Sequence, residues 1–250
     1  MKIDAVNILI TGGASGLGKT MATHLQGKAA NVIVIDRNAE TLAELQQEHP
    51  GIKCYTADLT DYNQVETVTT EIFKEYGKLN VLVNNAGIIH SEPLVNILSR
   101  EDVKHNVENW RRTIDVNLNA VFYVTSHITA QMVKSRSKGV IINISSISSY
   151  GNAGQSAYSA SKAALNALTV TWSKELGMFG IRCVAIAPGF IDTPSTRAAL
   201  TEAKVTAYKN ATPIRRLGNT EELLHAVVFI IENDFYNGTI LNLDGGLKLQ

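Results

Sequence analysis

Residues 8–18 read ILITGGASGLG, and this stretch decides the fold that the rest of the chain is expected to follow. The apolar run ILIT is typical of a buried strand, and the glycines after it allow a tight turn. A helix beginning near Gly16 would present free backbone N–H groups and the positive end of its dipole to an anion. The stretch therefore predicts a strand, a turn and a helix that together hold a phosphate group.

The same strand-then-helix order repeats along the whole chain. Predicted strands lie at 6–11, 31–36, 52–58, 79–84, 139–145, 181–188 and 239–243. Predicted helices lie at 16–26, 39–48, 61–76, 107–133, 156–178 and 220–231. Several strands are apolar almost throughout, which suits strands that are buried on both faces of a parallel sheet. The pattern predicts an α/β fold, in which helices flank one Rossmann-like, doubly wound parallel sheet of about seven strands, within a single domain over residues 1–250.

Composition excludes several classes of function. The chain has 23 basic and 23 acidic residues, so its formal net charge is zero, and no basic excess is present to bind nucleic acid. Two cysteines without a CxxC motif exclude a disulfide scaffold and a cysteine-rich zinc site. No apolar run approaches the roughly 18 residues of a membrane span, and no secretory signal is evident. We expect a cytoplasmic protein, with an organelle matrix as the alternative, that has no membrane or nucleic-acid partner.

A carboxylate follows the second predicted strand. Asp36 ends the run VIVID and lies 24 residues after Gly12. A carboxylate at this place can accept hydrogen bonds from the ribose hydroxyls of adenosine, and it would repel a 2′-phosphate. Arg37 has the opposite tendency, because a guanidinium can pair with a 2′-phosphate. The glycine-rich turn and Asp36 together predict a dinucleotide cofactor, NAD rather than NADP.

Tyr158 and Lys162 lie four residues apart in a predicted helix, so their side chains share one face. An ammonium close to a phenol stabilises the phenolate and would lower the pKa of Tyr158 from about 10. Tyr158 would then exchange a proton near neutral pH. The spacing alone is weak support, because such a pair also arises by chance.

Two further polar positions accompany this pair. Ser145 ends a predicted strand 13 residues before Tyr158, where a hydroxyl can hydrogen-bond a substrate carbonyl or alkoxide. Composition alone cannot select Ser145, because Ser146, Ser148 and Ser149 follow it closely. Asn117 is a polar residue inside a long predicted helix, where an asparagine can also simply bond to nearby backbone.

The sequence resembles the short-chain dehydrogenase/reductase superfamily, in its short single-domain branch. The motifs that carry the resemblance are TGGASGLG at 11–18, ADL at 57–59, NNAG at 84–87, the set Asn117, Ser145, Tyr158 and Lys162, PG at 188–189 followed by Thr193, and LDGG at 243–246. They occur in the family's order over nearly the whole chain. The cofactor contacts that the resemblance implies are Gly12, Ser15, Gly16, Leu17, Gly18, Asp36, Asp58, Leu59, Asn85, Ala86, Gly87, Tyr158, Lys162, Pro188, Gly189, Ile191 and Thr193.

The resemblance also implies a role for each catalytic residue. Tyr158 would donate or remove the hydroxyl proton, and Lys162 would lower the pKa of Tyr158 and bind the nicotinamide ribose. Ser145 would orient the substrate oxygen together with Tyr158, and Asn117 would keep a water-linked proton path open. Ser15 stands where NADP-dependent members often carry a basic residue, which again favours NAD. Hydride transfer between NAD and a secondary alcohol or ketone needs no metal.

The substrate is less well defined than the reaction. The segment from Ile88 to Trp110 is longer than in many members, and it shares this extension with the type II 3-hydroxyacyl-CoA dehydrogenases of the family. We therefore expect a 3-hydroxyacyl or 3-oxoacyl thioester, with His90 as a possible substrate contact. The alternatives are an NADPH-dependent 3-oxoacyl-carrier-protein reductase, a hydroxysteroid or small-alcohol dehydrogenase, and a non-catalytic NAD-binding scaffold. A homotetramer formed through helices 107–133 and 156–178 is also expected from the family.

Overall fold

A seven-stranded parallel sheet forms the centre of the protein. The computed structural model describes residues 1–98, 103–193, 196–197 and 201–249. The strands are β1 (Asn7–Thr11), β2 (Asn31–Asp36), β3 (Ile52–Thr56), β4 (Val81–Asn84), β5 (Gly139–Ile144), β6 (Ile181–Pro188) and β7 (Ile240–Leu243). Their order across the sheet is β3-β2-β1-β4-β5-β6-β7, and every neighbouring pair is parallel. The predicted doubly wound parallel sheet is thus confirmed.

Helices cover both faces of this sheet. They are α1 (Gly16–Leu25), α2 (Ala39–Glu48), α3 (Tyr62–Tyr76), α4 (Val107–Ile114), α5 (Ala120–Lys134), α6 (Ser156–Leu176), α7 (Glu202–Ala211) and α8 (Thr220–Glu232). The sequence predicted one helix over 107–133, but a π-helical turn at Asp115–Asn119 separates α4 from α5. Helix α7 was not predicted, because it lies in the 190–218 segment that breaks the strand–helix rhythm.

Alternation along the strands places the core on both sides of the sheet. In β1, Ile8 and Ile10 face a cluster with α1, α2 and α8, whereas Leu9 faces a second cluster with α3, α5 and α6. All three side chains are fully buried. Successive side chains of a strand point to opposite faces, so a strand covered by helices on both sides must be apolar throughout. This explains the continuous apolar runs in the sequence.

The strand order reverses between β1 and β4. From β1 the chain moves outward to β2 and β3, and it then returns to form β4 on the other side of β1. The loops after β1 and β4 therefore leave the sheet in opposite directions, and a crevice opens between them at the carboxyl ends of the strands. The glycine-rich turn after β1 and the NNAG motif at the end of β4 both lie at this crevice.

A buried polar network supports the carboxyl ends of β4 and β5. The Nδ2 atom of Asn84 donates to Oδ1 of Asn143 and to Oγ1 of Thr125, each at 2.9 Å. Asn143 in turn donates through Nδ2 to Oγ1 of Thr169 at 2.9 Å. Asn143 and Thr169 are completely buried. The network links the two strands to α5 and α6. It therefore fixes where each helix lies along the direction of the strands.

Replacing Asn143 by leucine should destabilise the protein strongly. The substitution keeps the branched shape but leaves buried polar atoms of Asn84 and Thr169 without this partner. We expect the free energy of unfolding to fall by about 2–4 kcal/mol, measured by urea unfolding. Thr69→Val is the control, since within the described part of the chain the buried Thr69 hydroxyl bonds only to carbonyls of its own helix. Equal losses in the two variants would show that the network contributes nothing specific.

Candidate active site

The glycine-rich turn after β1 packs directly against the end of β4. Gly12 has φ +63°, and a Cβ built on it would lie 2.8 Å from Cα of Ala86. A Cβ on Gly18 would collide with the Gly12 carbonyl oxygen and lie 2.6 Å from Nδ2 of Asn85. Only glycine fits at these two positions, because the backbones approach too closely for any side chain. Residues 12–18 thus form a tight turn, called the cradle below, that leads into the start of α1 at the crevice.

The side chains of Thr11, in β1, and Asn85, directly after β4, hold the cradle in place. Asn85 donates through Nδ2 to the carbonyl oxygens of Thr11 and Gly12, both at 3.0 Å. Oγ1 of Thr11 accepts hydrogen bonds from the backbone N–H groups of Asn85 and Ala86, both at 3.1 Å. Ser15 caps α1 with an exposed side chain that makes no capping hydrogen bond. The structure therefore brings the predicted residues of 12–18 and 85–87 together at the crevice.

Asp36 lies beside this cradle. Its Oδ2 atom accepts a hydrogen bond from the backbone N–H of Ala14 at 3.2 Å, and its Oδ1 atom accepts one from Asn38 at 3.2 Å. An open cleft of about 640 Å³ adjoins it, and the lining includes Arg37 and Asp58. The side chain of Leu59, by contrast, is buried in the core. Leu59 can therefore meet a cofactor only through its backbone.

Lys162 and Asn117 converge behind Gly87. A Cβ built on Gly87 would lie 3.1 Å from Oδ1 of Asn117 and 3.7 Å from Nζ of Lys162. Lys162 is almost completely buried, and its Nζ atom donates to the Ile144 carbonyl oxygen at 2.7 Å. Burial lowers the pKa of Lys162 to about 8.

The π-helical turn fixes the position of Asn117. Its Nδ2 atom donates to the Ile88 carbonyl oxygen and its Oδ1 atom accepts from the Ile88 N–H, both at 2.8 Å. The side chain is completely buried. Single π-helical turns inside longer helices frequently mark functional sites. The turn rotates Asn117 away from a regular helical face and toward the loop after β4.

Tyr158 lies beside Lys162, with 5.7 Å between the ring centroid and Nζ. Burial raises the pKa of the phenol above its ordinary value of 10, and a hydrogen bond with the Ser146 side chain opposes this shift. The sequence predicted the opposite direction, with Lys162 lowering the pKa of Tyr158. The difference arises because both groups are buried, so desolvation favours the neutral phenol and the neutral amine.

Ser145 and Ser146 directly follow β5 and lie against α6. The Ser145 hydroxyl is buried and donates to the Lys162 carbonyl oxygen at 3.4 Å. The Oγ atom of Ser146 accepts from the Ser148 N–H at 3.1 Å, and its side chain opposes the rise that burial causes in the pKa of Tyr158. The family resemblance assigns the substrate-orienting role to Ser145, and this assignment stays a prediction.

The loop after β6 completes the crevice. The Gly189 N–H donates to the Leu243 carbonyl oxygen at 2.9 Å, which holds the Pro188–Gly189 end of β6 against β7. Ile191 and Thr193 are buried, and Phe190 stacks on Tyr208 of α7 with 3.6 Å between ring centroids. A cavity of about 170 Å³ lies here between Gly189, Ile191 and Gly245. The residues of this loop that were predicted to contact the cofactor therefore lie together along one side of the crevice.

Comparisons with known proteins assign the chain to one enzyme family. The family model for short chain dehydrogenases matches residues 6–204. The chain belongs to the short chain dehydrogenase family. It is 38% identical to the 3-oxoacyl-[acyl-carrier-protein] reductase FabG of Thermotoga maritima, over 100% of both chains. It is 35% identical to human 3-hydroxyacyl-CoA dehydrogenase type-2, over 97% of this chain and 95% of that protein.

A solved structure agrees with the sequence relatives. The crystal structure of gox2181 matches with a TM-score of 0.88 and 27% identity, over 98% of this chain and 96% of that chain. The superfamily resemblance inferred from the sequence motifs is thus confirmed. As a short chain dehydrogenase, the protein is an oxidoreductase that acts on CH–OH or keto groups of small molecules.

The described residues contain neither a membrane-spanning helix nor a cluster of metal-binding side chains. Within 1–98, 103–193, 196–197 and 201–249, no helix is long and apolar enough to cross a membrane. The same part of the chain holds no group of three or more histidine, cysteine, aspartate or glutamate side chains that could bind a metal ion.

Replacing the buried Lys162 by methionine should remove a pH dependence of stability. The pKa of Lys162 falls from 10.5 unfolded to about 8 folded. Between these values the unfolded chain binds more protons, so the free energy of unfolding rises with pH, by at most about 3 kcal/mol from this residue. We expect Lys162→Met to lose this rise and to be at least as stable as the wild type at pH 7.

Urea unfolding at pH 7 and pH 9.5 measures this effect. Lys174→Met is the matched control, because Lys174 lies exposed on the same helix. Groups that titrate identically in all three proteins cancel in the comparison. An unchanged pH slope in Lys162→Met would contradict the low pKa.

Proposed function

We propose that this short chain dehydrogenase interconverts 3-oxoacyl and 3-hydroxyacyl thioesters with NAD(H). One observation supports the chemistry above all others. Nζ of Lys162 lies 5.7 Å from the Tyr158 ring centroid, the Ser145 hydroxyl bonds to the Lys162 carbonyl oxygen, and Lys162 and Asn117 converge on Gly87 at the crevice. A phenol, an ammonium and a hydroxyl at one end of a dinucleotide cradle suit proton transfer to a carbonyl oxygen.

The residues present fit a nicotinamide dinucleotide. The backbone of 12–18 approaches the end of β4 so closely that a Cβ at Gly12 or Gly18 would clash, which leaves the N–H groups at the start of α1 free for a pyrophosphate. The open cleft beside Asp36 and Asp58 suits the adenosine half. Pro188, Gly189, Ile191 and Thr193 would contact the nicotinamide half. When bound, the cofactor supplies or accepts the hydride.

Tyr158 acts as the general acid in the reductive direction. The raised pKa of the phenol keeps it protonated at neutral pH, so the proton is available when the carbonyl oxygen gains negative charge. Ser145 donates a hydrogen bond to the same oxygen and orients it. Lys162 returns a proton toward Tyr158 and binds the nicotinamide ribose, and Asn117 borders the path by which a proton from water reaches this pair.

The substrate class rests on the relatives and on the segment after β4. Two relatives that cover nearly the whole chain are named for 3-oxoacyl and 3-hydroxyacyl thioesters. The extension from Ile88 toward Trp110 borders the site next to Asn117, and Ile89 and Leu94 expose apolar surface there. An NADPH-dependent 3-oxoacyl-carrier-protein reductase is the second candidate, because one of these relatives carries that reductase name.

Charge at the adenosine cleft favours NAD over NADP. The Asp36 carboxylate lies against the Ala14 N–H, close to the place of a ribose 2′-hydroxyl, where it would repel a 2′-phosphate. Ser15 brings no positive charge to the turn. Arg37 is exposed on the cleft, and no described residue pairs with its side chain. Arg37 is therefore the residue that could still admit NADPH.

We also propose a single domain over 1–250, a cytoplasmic location and a homotetramer through α4–α5 and α6. On these helices, Val121 and Leu165 are buried within the chain. Phe122 is 50% exposed and Leu168 is half-buried, so these two remain available to a second copy. Sedimentation velocity would test the assembly, and a monomer would exclude it.

The first activity test uses acetoacetyl-CoA with NADH, followed by absorbance. Tyr158→Phe should lower kcat by about 10³-fold, because it removes the proton donor. Ser145→Ala should lower kcat by about 10²-fold, because it removes the group that orients the substrate oxygen. Ser146→Ala is the matched comparison and should lower kcat less, because the Ser146 hydroxyl serves the turn through its bond with the Ser148 N–H.

Each outcome of this test assigns a residue or a substrate. A large loss in Ser146→Ala with little loss in Ser145→Ala would move the substrate-orienting role to Ser146. Turnover that persists in Tyr158→Phe would exclude Tyr158 as the general acid. No turnover in the wild type would reject the short acyl thioester and direct the search to acyl-carrier-protein substrates, steroids and small alcohols.

The cofactor preference should depend on Asp36. Asp36→Asn keeps the shape that accepts from Ala14 but removes the charge, so the ratio of kcat/KM for NADH over NADPH should fall on the order of 10- to 100-fold. Glu40→Gln is the matched control, because Glu40 is an acid in the same cleft. A wild type that already prefers NADPH would show that Arg37 outweighs Asp36.

A further inference from the structure

One carboxylate organises the segment between β4 and α4. The side chain of Glu92 accepts hydrogen bonds from Nε2 of His90 at 2.9 Å, from the backbone N–H of Asn106 at 2.8 Å and from Nδ2 of Asn109 at 3.1 Å. Nδ1 of His105 lies 3.8 Å from the same carboxylate. Asn106 caps α4 and Asn109 lies in its first turn. Glu92 therefore acts at the amino end of α4, where a negative charge is stabilised by the helix dipole.

The backbone of Glu92 binds a different helix. Its N–H donates to the Gly154 carbonyl oxygen at 2.6 Å, and Glu92 forms a parallel bridge with Gln155. Gln155 is the residue before α6, three positions ahead of Tyr158. The Nε2 atom of Gln155 donates to Oγ of Ser91 at 3.1 Å, which adds a second bond between this segment and the start of α6.

Glu92 thus lies between the starts of two helices that carry candidate catalytic residues. Helix α4 continues into the π-helical turn with Asn117, and α6 carries Tyr158 and Lys162. The side chain of Gln155 also accepts from Oγ of Ser148, in the short turn that Ser146 caps. Contacts that start from Ser91 and Glu92 therefore extend to α4, to α6 and to the turn at Ile147–Tyr150.

We propose that Glu92 is a positioning residue, whose carboxylate holds the start of α4 and whose backbone holds the start of α6, so that Asn117 and Tyr158 keep their relative positions. The inference rests on the proposed function of those two residues. Small displacements of catalytic groups are costly, since an error of about 1 Å can lower a rate by about 10²-fold. Glu92 touches neither of the two side chains directly.

Glu92 carries a negative charge at neutral pH. The hydrogen bond from His90, followed by those from Asn106 and Asn109, lowers the pKa of Glu92 to about 2. The carboxylate is therefore ionised throughout the neutral range, and its hydrogen bonds are charge-assisted. Glutamine at this position would keep one acceptor for Asn106 but would lose the charge that faces His90 and His105.

Amide hydrogen exchange and kinetics on Glu92→Gln and Glu92→Ala test the proposal. We expect exchange to become about tenfold faster in the first turns of both α4 and α6, because their shared contact is weakened. We expect kcat to fall about tenfold, while the dissociation constant of NADH stays unchanged, since none of the contacts described for Glu92 involves the cradle at 12–18. Glu108→Gln is the matched control, because Glu108 lies exposed in the first turn of α4 and, among the described residues, its side chain pairs only with Arg111.

Two results would overturn the proposal. Exchange that accelerates only in α4 would show that Glu92 merely caps that helix. An unchanged kcat in both variants, with faster exchange in both helices, would show that the contact stabilises the fold without positioning the site. If the wild type turns over no substrate, the proposed function fails, and exchange in α6 alone then decides whether Glu92 couples the two helices. Glu92→Gln keeps the test open if Glu92→Ala does not fold.

Discussion

The close packing of the glycine-rich turn against the end of β4 is the constraint on which the site depends. Gly12 and Gly18 leave no room for a side chain between the turn and Ala86 or Asn85. This approach is possible because the strand order reverses between β1 and β4, which brings two loops to one crevice. The start of α1, the carboxylate of Asp36 and the loop toward Asn117 all take their positions from this contact.

Burial is a second constraint, and it changes the pKa values of Tyr158 and Lys162. Lys162 and Tyr158 are placed in the interior beside β5, where desolvation lowers the pKa of the amine and raises that of the phenol. Burial of the Lys162 amine lowers the free energy of unfolding, and this loss accompanies the placement of two proton-exchanging groups side by side. The network of Asn84, Asn143 and Thr169 stabilises the strand ends next to it.

Much of the fold and of the site could be predicted from the sequence, because the decisive features are local. Continuous apolar strands, the TGGASGLG turn, Asp36 and the four-residue spacing of Tyr158 and Lys162 depend on neighbouring residues, and the structure places them as expected. The predictions were wrong where the outcome depends on packing. The break of 107–133 at Asp115–Asn119 follows from the bonds between Asn117 and Ile88, which are 29 residues apart. The direction of the pKa shift at Tyr158 follows from burial, which spacing alone does not reveal.

By itself, the sequence determined the doubly wound parallel sheet, the family and the reaction class, since periodicity and short motifs suffice for these. The burial of Tyr158 and Lys162 follows from tertiary packing, because Lys162 is held by the Ile144 carbonyl oxygen of another element and the spacing of the pair does not reveal this contact. Only the tertiary structure revealed Glu92, because its partners come from the segment itself, from α4 and from the start of α6, and no local pattern in the sequence joins them.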